Sequence, residues 1–326
     1  MSLITCLLMP ITIIAALLLD QWLGEPRRWH PLVGFGNIAN WLENHSNLAF
    51  NALSAHAVAG RLMGLLAWLV LLIPLVALAY WLTHLHRYLL WGWYSDVLLN
   101  CLMLYFAIGA SSLKHHALRI YQALLSKDLA AARLAVGMIV SRDTQALEEK
   151  EIATATVESV LENGNDAVFG AMFWFILFGG AGAVMFRLAN TLDAMWGYRT
   201  PRFVYFGWAA ARIDDLLNLI PARLTALSYA LCGSTRTSLR CWLRQAGTWY
   251  SPNAGPVMAA GAGALNVQLG GAAPYHGEVK LRPALGAGDS VEANHILSAV
   301  GLVQHSMVLW CAVISALYLA WWAHLA

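Results

Sequence analysis

Apolar residues in this chain gather into long runs at 3–19, 62–82, 89–110, 167–188 and 299–325, with polar stretches between them. A helix that crosses a bilayer needs roughly 20 largely apolar residues, so each run predicts a membrane-embedded helix. The first is short and carries Pro10. The third contains Asp96 and Asn100, which must face protein or a cavity rather than lipid. The fourth is broken by "GGAG" at 179–182. Weaker apolar stretches lie at 216–232, interrupted by Pro221, and at 256–269, rich in Gly and Ala. The polar segments 20–61, 111–166, 189–215, 233–255 and 270–298 show no fixed-period repeat. This pattern predicts an all-α integral membrane protein, a single multi-pass domain over 1–326. It should have about 4–6 membrane-embedded helices and polar, partly helical cytoplasmic loops.

Composition sharpens that picture. Hydrophobic residues make up 59% of the chain and charged residues 12%, against roughly 25% charged in ordinary globular proteins. A soluble chain with so little charge would expose large apolar patches. The net charge of +2 gives no reason to expect a nucleic-acid partner. The 5 cysteines are widely spaced and include no C-x-x-C, so reduced thiols are expected, without a disulfide framework or zinc site. The first apolar run has no basic region before it and reads as a retained helix rather than a signal peptide. Lys114, Arg119, Lys127, Arg133, Arg142 and Lys150 ask for a cytoplasmic location, and so do Arg199, Arg202, Arg212, Arg223, Arg236, Arg240 and Arg244. One crossing at 167–188 would separate the two sets. A glycine break that turns this segment back on itself would not, provided protein shields it.

The stretch "SRDTQALEEKEIATATVESVLENGNDAVFG", 141–170, holds Asp143, Glu148, Glu149, Glu151, Glu158, Glu162 and Asp166 among the chain's 18 acids. Ser141, Asp143 and Thr144 suit an N-cap, the following glutamates suit the first turns, and Gly164 suits a C-terminal cap. On such a helix Glu151, Glu158 and Glu162 share one face. A solvated helix face is the plainer explanation. However, only Lys150 lies among these acids, and carboxylates held together without basic neighbours are costly unless a cation such as Mg²⁺ sits among them.

Other polar clusters follow. "DQWLGEPRRWHPLVGFG", 20–36, places Asp20, Glu25, Arg28 and His30 at the end of the first helix, with Trp22 and Trp29 as interfacial anchors. "ANTLDAMWGYRT", 189–200, offers Asn190, Asp193 and Arg199. "ARIDDLLNLIPAR", 211–223, offers Arg212, Asp214, Asp215 and Asn218, with Asp214 and Asn218 one helical turn apart. "SPNAGPVMAAGAGAL", 251–265, either cradles a phosphate at a helix start or packs helices closely through small residues. "APYHGEVKLRP", 273–283, gathers Tyr275, His276, Glu278, Lys280 and Arg282. There is no Walker A sequence, nucleophile elbow, H-E-x-x-H or Rossmann glycine pattern.

Taken in order, "LLLDQWLGEPRRWHPLVGFG", the acid stretch, "RLANTLDAMWGYRT", "GWAAARIDDLLNLIPARLTAL", "SPNAGPVMAAGAGAL" and "PYHGE" resemble the CobD/CbiB family of cobalamin biosynthesis proteins, from about residue 15 to about 283. A more distant resemblance is to AmpE-type membrane proteins. The family resemblance implies a multi-pass enzyme of the bacterial inner membrane with a cytoplasmic active site, adenosylcobinamide-phosphate synthase. It implies ATP-dependent amide ligation of (R)-1-aminopropan-2-ol or its O-phosphate to the corrinoid adenosylcobyric acid, with ATP and Mg²⁺. Besides these substrates and the lipid bilayer, it is compatible with a homo-oligomer or an association with other corrinoid-pathway enzymes.

A carboxylate must be activated, for instance as an acyl phosphate, before an amine displaces its oxygen. The site therefore needs groups that hold phosphate and metal. Placed on the matching motifs, Asp143, Glu158, Glu162, Asp166, Asp214 and Asp215 are the Mg²⁺ candidates. Arg142, Arg199 and Arg212 are the catalytic phosphate clamps, since guanidinium matches phosphate bidentately. Arg28, Asn190, Asn253, Gly255, Gly261 and Gly263 would contact substrate or phosphate, and His276 or Glu278 would deprotonate the ammonium. Trp196, Trp208 and Trp249 could stack on a corrin or adenine face, or simply anchor at the interface. Two other readings stay open: a prenyl- or phospho-transferase, which "DDLLN" suggests through Asp-rich metal sites, and a transporter or sensor, which would line a path with intramembrane charges.

Overall fold

The computed structural model describes residues 3–26, 30–53, 57–85, 92–275 and 278–325. The chain divides into two compact units, one from 1–109 and 170–218, the other from 110–169 and 219–326. Among the described residues four helical stretches, Ala57–His84, Tyr94–Leu125, Glu149–Trp196 and Ala293–His324, are long and apolar enough to cross a membrane. The protein is thus a helical membrane protein, as the hydropathy pattern predicts. Its outer surface agrees: Leu62, Leu66, Val70 and Ile73 are all more than half exposed on one of these helices. Apolar side chains pointing outward as well as inward suit a helix facing lipid.

The first unit holds α1 (Leu3–Leu23), α2 (Pro31–Leu53), α3 (Ala57–Leu85), α4 (Gly92–Ala107), α8 (Gly170–Trp196) and α9 (Trp208–Leu217). Its core joins Phe35 and Ala39 of α2, Trp68, Leu71 and Leu72 of α3, Leu188, Leu192 and Trp196 of α8, and Ala210 of α9. Small residues let backbones approach: a Cβ on Gly64 would lie 1.8 Å from the Phe206 carbonyl oxygen.

α8 contains the expected glycine break, and it is a fold-back. Phe178 and Gly179 leave helical geometry, Gly179 with φ +64°, a conformation glycine adopts without a Cβ penalty. A Cβ on Gly182 would lie 2.2 Å from the Trp174 carbonyl oxygen, and one on Gly170 would lie 2.1 Å from the Phe186 ring. In a straight helix, residues 170 and 186 would stand about 24 Å apart at 1.5 Å per residue. The two halves of α8 therefore run back along each other, and this stretch is not a single crossing. The break frees backbone groups that hydrocarbon cannot satisfy. Asn100 of α4 meets that need: its Oδ1 accepts the Gly180 N–H at 2.6 Å, while its Nδ2 donates to the Asp96 side chain at 2.7 Å. Asp96 and Asn100 thus face protein, as expected of polar residues in an apolar run.

The second unit holds α5 (Ala110–Leu125), α6 (Leu129–Val136), α7 (Glu149–Gly164), a π-helical turn at Asn165–Phe169, α10 (Leu219–Cys232), α11 (Thr235–Gln245), α12 (Ala254–Leu265), β1 (Val267–Tyr275), β2 (Glu278–Gly286), β3 (Asp289–Ser290) and α13 (Ala293–Leu325). Nearly every residue of α12 is buried. The strands lie in the order β2-β1-β3. β1 and β2 form an antiparallel hairpin, from Gln268 opposite Gly286 to Tyr275 opposite Glu278, with a bulge between Leu269 and Gly271. β3 pairs parallel to the start of β1. Gln245 of α11 clamps the base of the hairpin, accepting from Gly286 N–H at 2.7 Å and donating to its carbonyl at 2.9 Å.

Some local expectations change. The polar segment 270–298 contains a β-hairpin, and 251–265 is largely a buried helix. The acid helix begins at Glu149, not near Ser141. Gly164 does not end it, because the backbone passes into the π turn. Glycine is needed there for space: a Cβ would lie 2.2 Å from the Tyr229 hydroxyl.

The fold-back predicts that Gly170→Ala costs about 1–3 kcal/mol by overpacking, read as a lowered unfolding midpoint in detergent. Phe186→Leu in the same chain should recover most of the loss. If Gly170→Ala unfolds like the parent, the two halves of α8 do not pack as described.

Candidate functional site

Glu148 is extended and precedes α7, and its N–H donates to the Glu151 carboxylate at 2.8 Å. Glu149 and Glu151 fall in the first turn, where the helix dipole favours acids. Part of the acid stretch therefore builds a helix start. From Ile152 onward the helix is buried on most sides, and Glu158 lies inside with 3% of its surface exposed. A buried carboxylate must be paired and fully hydrogen-bonded. Its Oε1 accepts the N–H of Gly270 on β1 at 2.9 Å. Its Oε2 accepts from Arg282 of β2 at 2.9 Å and makes a short contact with Arg142.

The hairpin is shaped for this. Gly270 and Gly271 have φ of +86° and +75°, and a Cβ on Gly270 would lie 2.0 Å from the Pro283 carbonyl oxygen. The bulge turns both carbonyls toward Arg282, which donates to Gly270 O at 3.1 Å and Gly271 O at 3.3 Å. The Arg282 guanidinium also sits 5.6 Å from the centre of the Trp249 ring, and Trp249 stacks on Tyr250 at 4.8 Å. Arg142, Arg282, Glu162, Asn163, Trp249 and Tyr250 line a cavity of about 230 Å³. With two guanidiniums and the Glu162 carboxylate in its lining, the cavity offers partners to both an anionic and a cationic group.

The first unit gathers a second polar group, from the end of α8 and from α9. Asp214 is buried, and its oxygens accept from Asn190 at 3.3 Å and Asn218 at 3.0 Å. Asp193 feels the charges of both Asp214 and Asp215. Arg212 lies 3.9 Å from Asp215. Burial holds the Asp215 carboxyl above its ordinary value, against the pull of Arg212 and of the exposed Arg199.

The remaining predicted residues scatter. Asp143 is exposed, and its backbone N–H donates to Pro274 O on β1 at 3.1 Å. Asp166 accepts from Asn165 at 2.9 Å, whose own Oδ1 accepts from Thr225 at 2.9 Å. Asn253 is buried and accepts from Arg223 at 2.6 Å. The glycines of 251–265 are packing residues, not phosphate contacts. A Cβ would lie 2.4 Å from the Ala246 carbonyl oxygen at Gly255, 2.7 Å from Leu161 at Gly261 and 2.7 Å from the Ser238 Cα at Gly263. Glu278 is exposed at the start of β2. Arg28 and His276 lie outside the described residues.

Glu158 does not fit a metal ligand, because its oxygens are taken by two guanidiniums and an N–H. Among the described residues no group of three or more His, Cys, Asp or Glu could hold a metal ion. Asp193, Asp214 and Asp215 lie close enough for their charges to interact, at the end of α8 and on α9. Sequence reading left Arg282 and Tyr250 out of the site. Charged residues alternating with apolar ones in "EVKLR" at 278–282 signal a strand, but that pattern would turn Arg282 outward, whereas Val279 and Leu281 are exposed and Arg282 is buried.

The fold and these polar groups define a helical membrane protein with a buried Arg142–Glu158–Arg282 cluster. Residues 13–303 match the family described as "CobD/Cbib protein". The chain is 54% identical over 304 residues to the cobalamin biosynthesis protein CobD of Stutzerimonas stutzeri, covering 93% of this chain and 96% of that one. It is 54% identical over 299 residues to the CobD of Chromobacterium violaceum, covering 91% and 93%. To the CobD of Listeria monocytogenes it is 33% identical over 319 residues, covering 94% and 97%. No solved structure matches. The chain belongs to the CobD/CbiB family of cobalamin biosynthesis proteins.

Removing the carboxylate from this cluster would leave two arginines facing each other. Glu158→Ala should therefore cost about 3–5 kcal/mol, measured by unfolding in detergent. Glu158→Gln, which keeps an acceptor for Gly270 and one arginine, should cost less. Equal stability of parent and Glu158→Ala would remove the cluster from the list of structural determinants.

Proposed function

We propose that the protein is adenosylcobinamide-phosphate synthase, joining the amine of (R)-1-aminopropan-2-ol O-phosphate, or of the free alcohol, to a corrin carboxylate with ATP. The observation that carries this is the Arg142–Glu158–Arg282 cavity. At about 230 Å³ it is below the ~300–1,000 Å³ of drug-sized pockets, too small for a corrin ring but suited to a three-carbon amino alcohol phosphate. That substrate bears a phosphate and an ammonium, complementary to the guanidiniums and to Glu162. Family membership and the names of the relatives support the pathway.

In this reading Arg142 and Arg282 hold the phosphate end, with Glu158 fixing both guanidiniums in place. Glu162 orients the ammonium and draws off its proton so that the nitrogen lone pair can attack. Trp249 and Tyr250 shield the pocket wall from water. ATP supplies the activation of the corrin carboxylate, and Mg²⁺ would be held by Asp193, Asp214 and Asp215. The location proposed is the bacterial inner membrane, with the active site toward the cytoplasm.

The test is the purified protein in liposomes with adenosylcobyric acid, either amine, ATP and Mg²⁺, followed by corrinoid mass spectrometry and ADP release. One ADP per new corrinoid is expected. Arg142→Lys should raise the KM for the phosphorylated amine by about tenfold or more, a loss of roughly 1.4 kcal/mol, and change that for the free alcohol much less. No corrinoid product with either amine would overturn the assignment. Equal effects on both amines would overturn the placement of the phosphate.

A further inference from the structure

The first unit contains a cavity that the chemistry above does not use. It measures about 420 Å³, lies against α2, α3, α4 and α8, and is walled by hydrocarbon from Leu32, Phe35, Leu75, Leu82, Phe106 and Leu188. Ile38 and Leu78, also in its wall, are 56% and 50% exposed, so it opens through the apolar outer surface, where a bilayer's chains lie. The charged residue in the lining is Arg187. Charges within membrane segments are costly, and they characteristically mark binding sites or pathways. Next to this wall, His30 feels both Arg187 and Glu25, and its ring rests edge-on against Phe106 at 6.1 Å.

Gly34 adds a second observation. It lies inside α2, where glycine weakens a helix. No packing demand explains it, because a Cβ there would meet nothing within 4 Å. Gly34 lies in the cavity's lining, so a larger side chain there would enter open space rather than displace a neighbour.

We propose that this cavity is a binding site for an acidic membrane phospholipid, with an acyl chain between α2, α3, α4 and α8 and the headgroup phosphate on Arg187. Hydrocarbon walls open to the bilayer select a chain, and the guanidinium selects an anionic head.

The full-length protein in detergent would be titrated with phosphatidylglycerol and with phosphatidylcholine of the same chains, and bound lipid counted by native mass spectrometry. One phosphatidylglycerol should be retained, about fivefold more tightly than phosphatidylcholine, the factor one cation supplies at an anionic headgroup. Gly34→Leu should abolish retention of both lipids. Leu78→Trp, from the facing helix, gives the same reading if Gly34→Leu does not fold. Arg187→Gln should erase the preference, and Arg187→Lys should keep much of it. Equal retention by a folded cavity-filled variant, absence of any headgroup preference, or a retained species that is not a lipid would each overturn the proposal.

Discussion

The second unit depends on one carboxylate. Glu158 joins α7 to the loop carrying Arg142, to β1 through Gly270 and to β2 through Arg282. Burying such a group removes its hydration, and the return from two guanidiniums is large only when the geometry is satisfied all round. Arg282 meets that condition through two glycine carbonyls and the Trp249 ring. A well-packed apolar trio could hold the unit as firmly. What it could not do is keep two cations beside a small polar cavity, and this is the reason to see the cluster as chemistry rather than as scaffolding alone.

The same constraint runs through the first unit in a different form. Hydrocarbon leaves no water for a broken helix, so the turn in α8 can exist only where α4 presents Asn100 to the freed Gly180 N–H. Glycine at 179 supplies the conformation and glycines at 170 and 182 supply the clearance. The apolar run alone suggested a crossing. The residues that forbid it are four small ones and an asparagine 80 positions earlier.

Much of this was legible beforehand. Run length and hydropathy pointed to a helical membrane protein, "GGAG" marked the place where α8 breaks, and the acid stretch pointed to the helix that carries the central carboxylate. For Glu158 the expected counter-charge was a metal ion, whereas two guanidiniums provide it: Arg142 from the start of the same stretch and Arg282 from 124 residues away. No local spacing encodes the second. The hairpin was missed for a related reason: "LGGAAPY" in β1 reads as a loop, because the two glycines that make the bulge are the same residues that disguise the strand. The 251–265 glycines invited a phosphate, yet their neighbours are protein atoms.

Synthesis order gives these contacts another meaning. α2, α3 and α4, which wall α8, all leave the ribosome before it, so the fold-back can close as soon as its own second half emerges. Glu158 is completed in two stages. Arg142 emerges 16 residues before it and can pair with it at once, whereas the Gly270 N–H and Arg282 follow only 112 and 124 residues later. The first unit can lock in during translation; the cavity around Glu158 is completed only when the hairpin arrives, so truncated chains ending before β2 would carry a finished fold-back and an unfinished site.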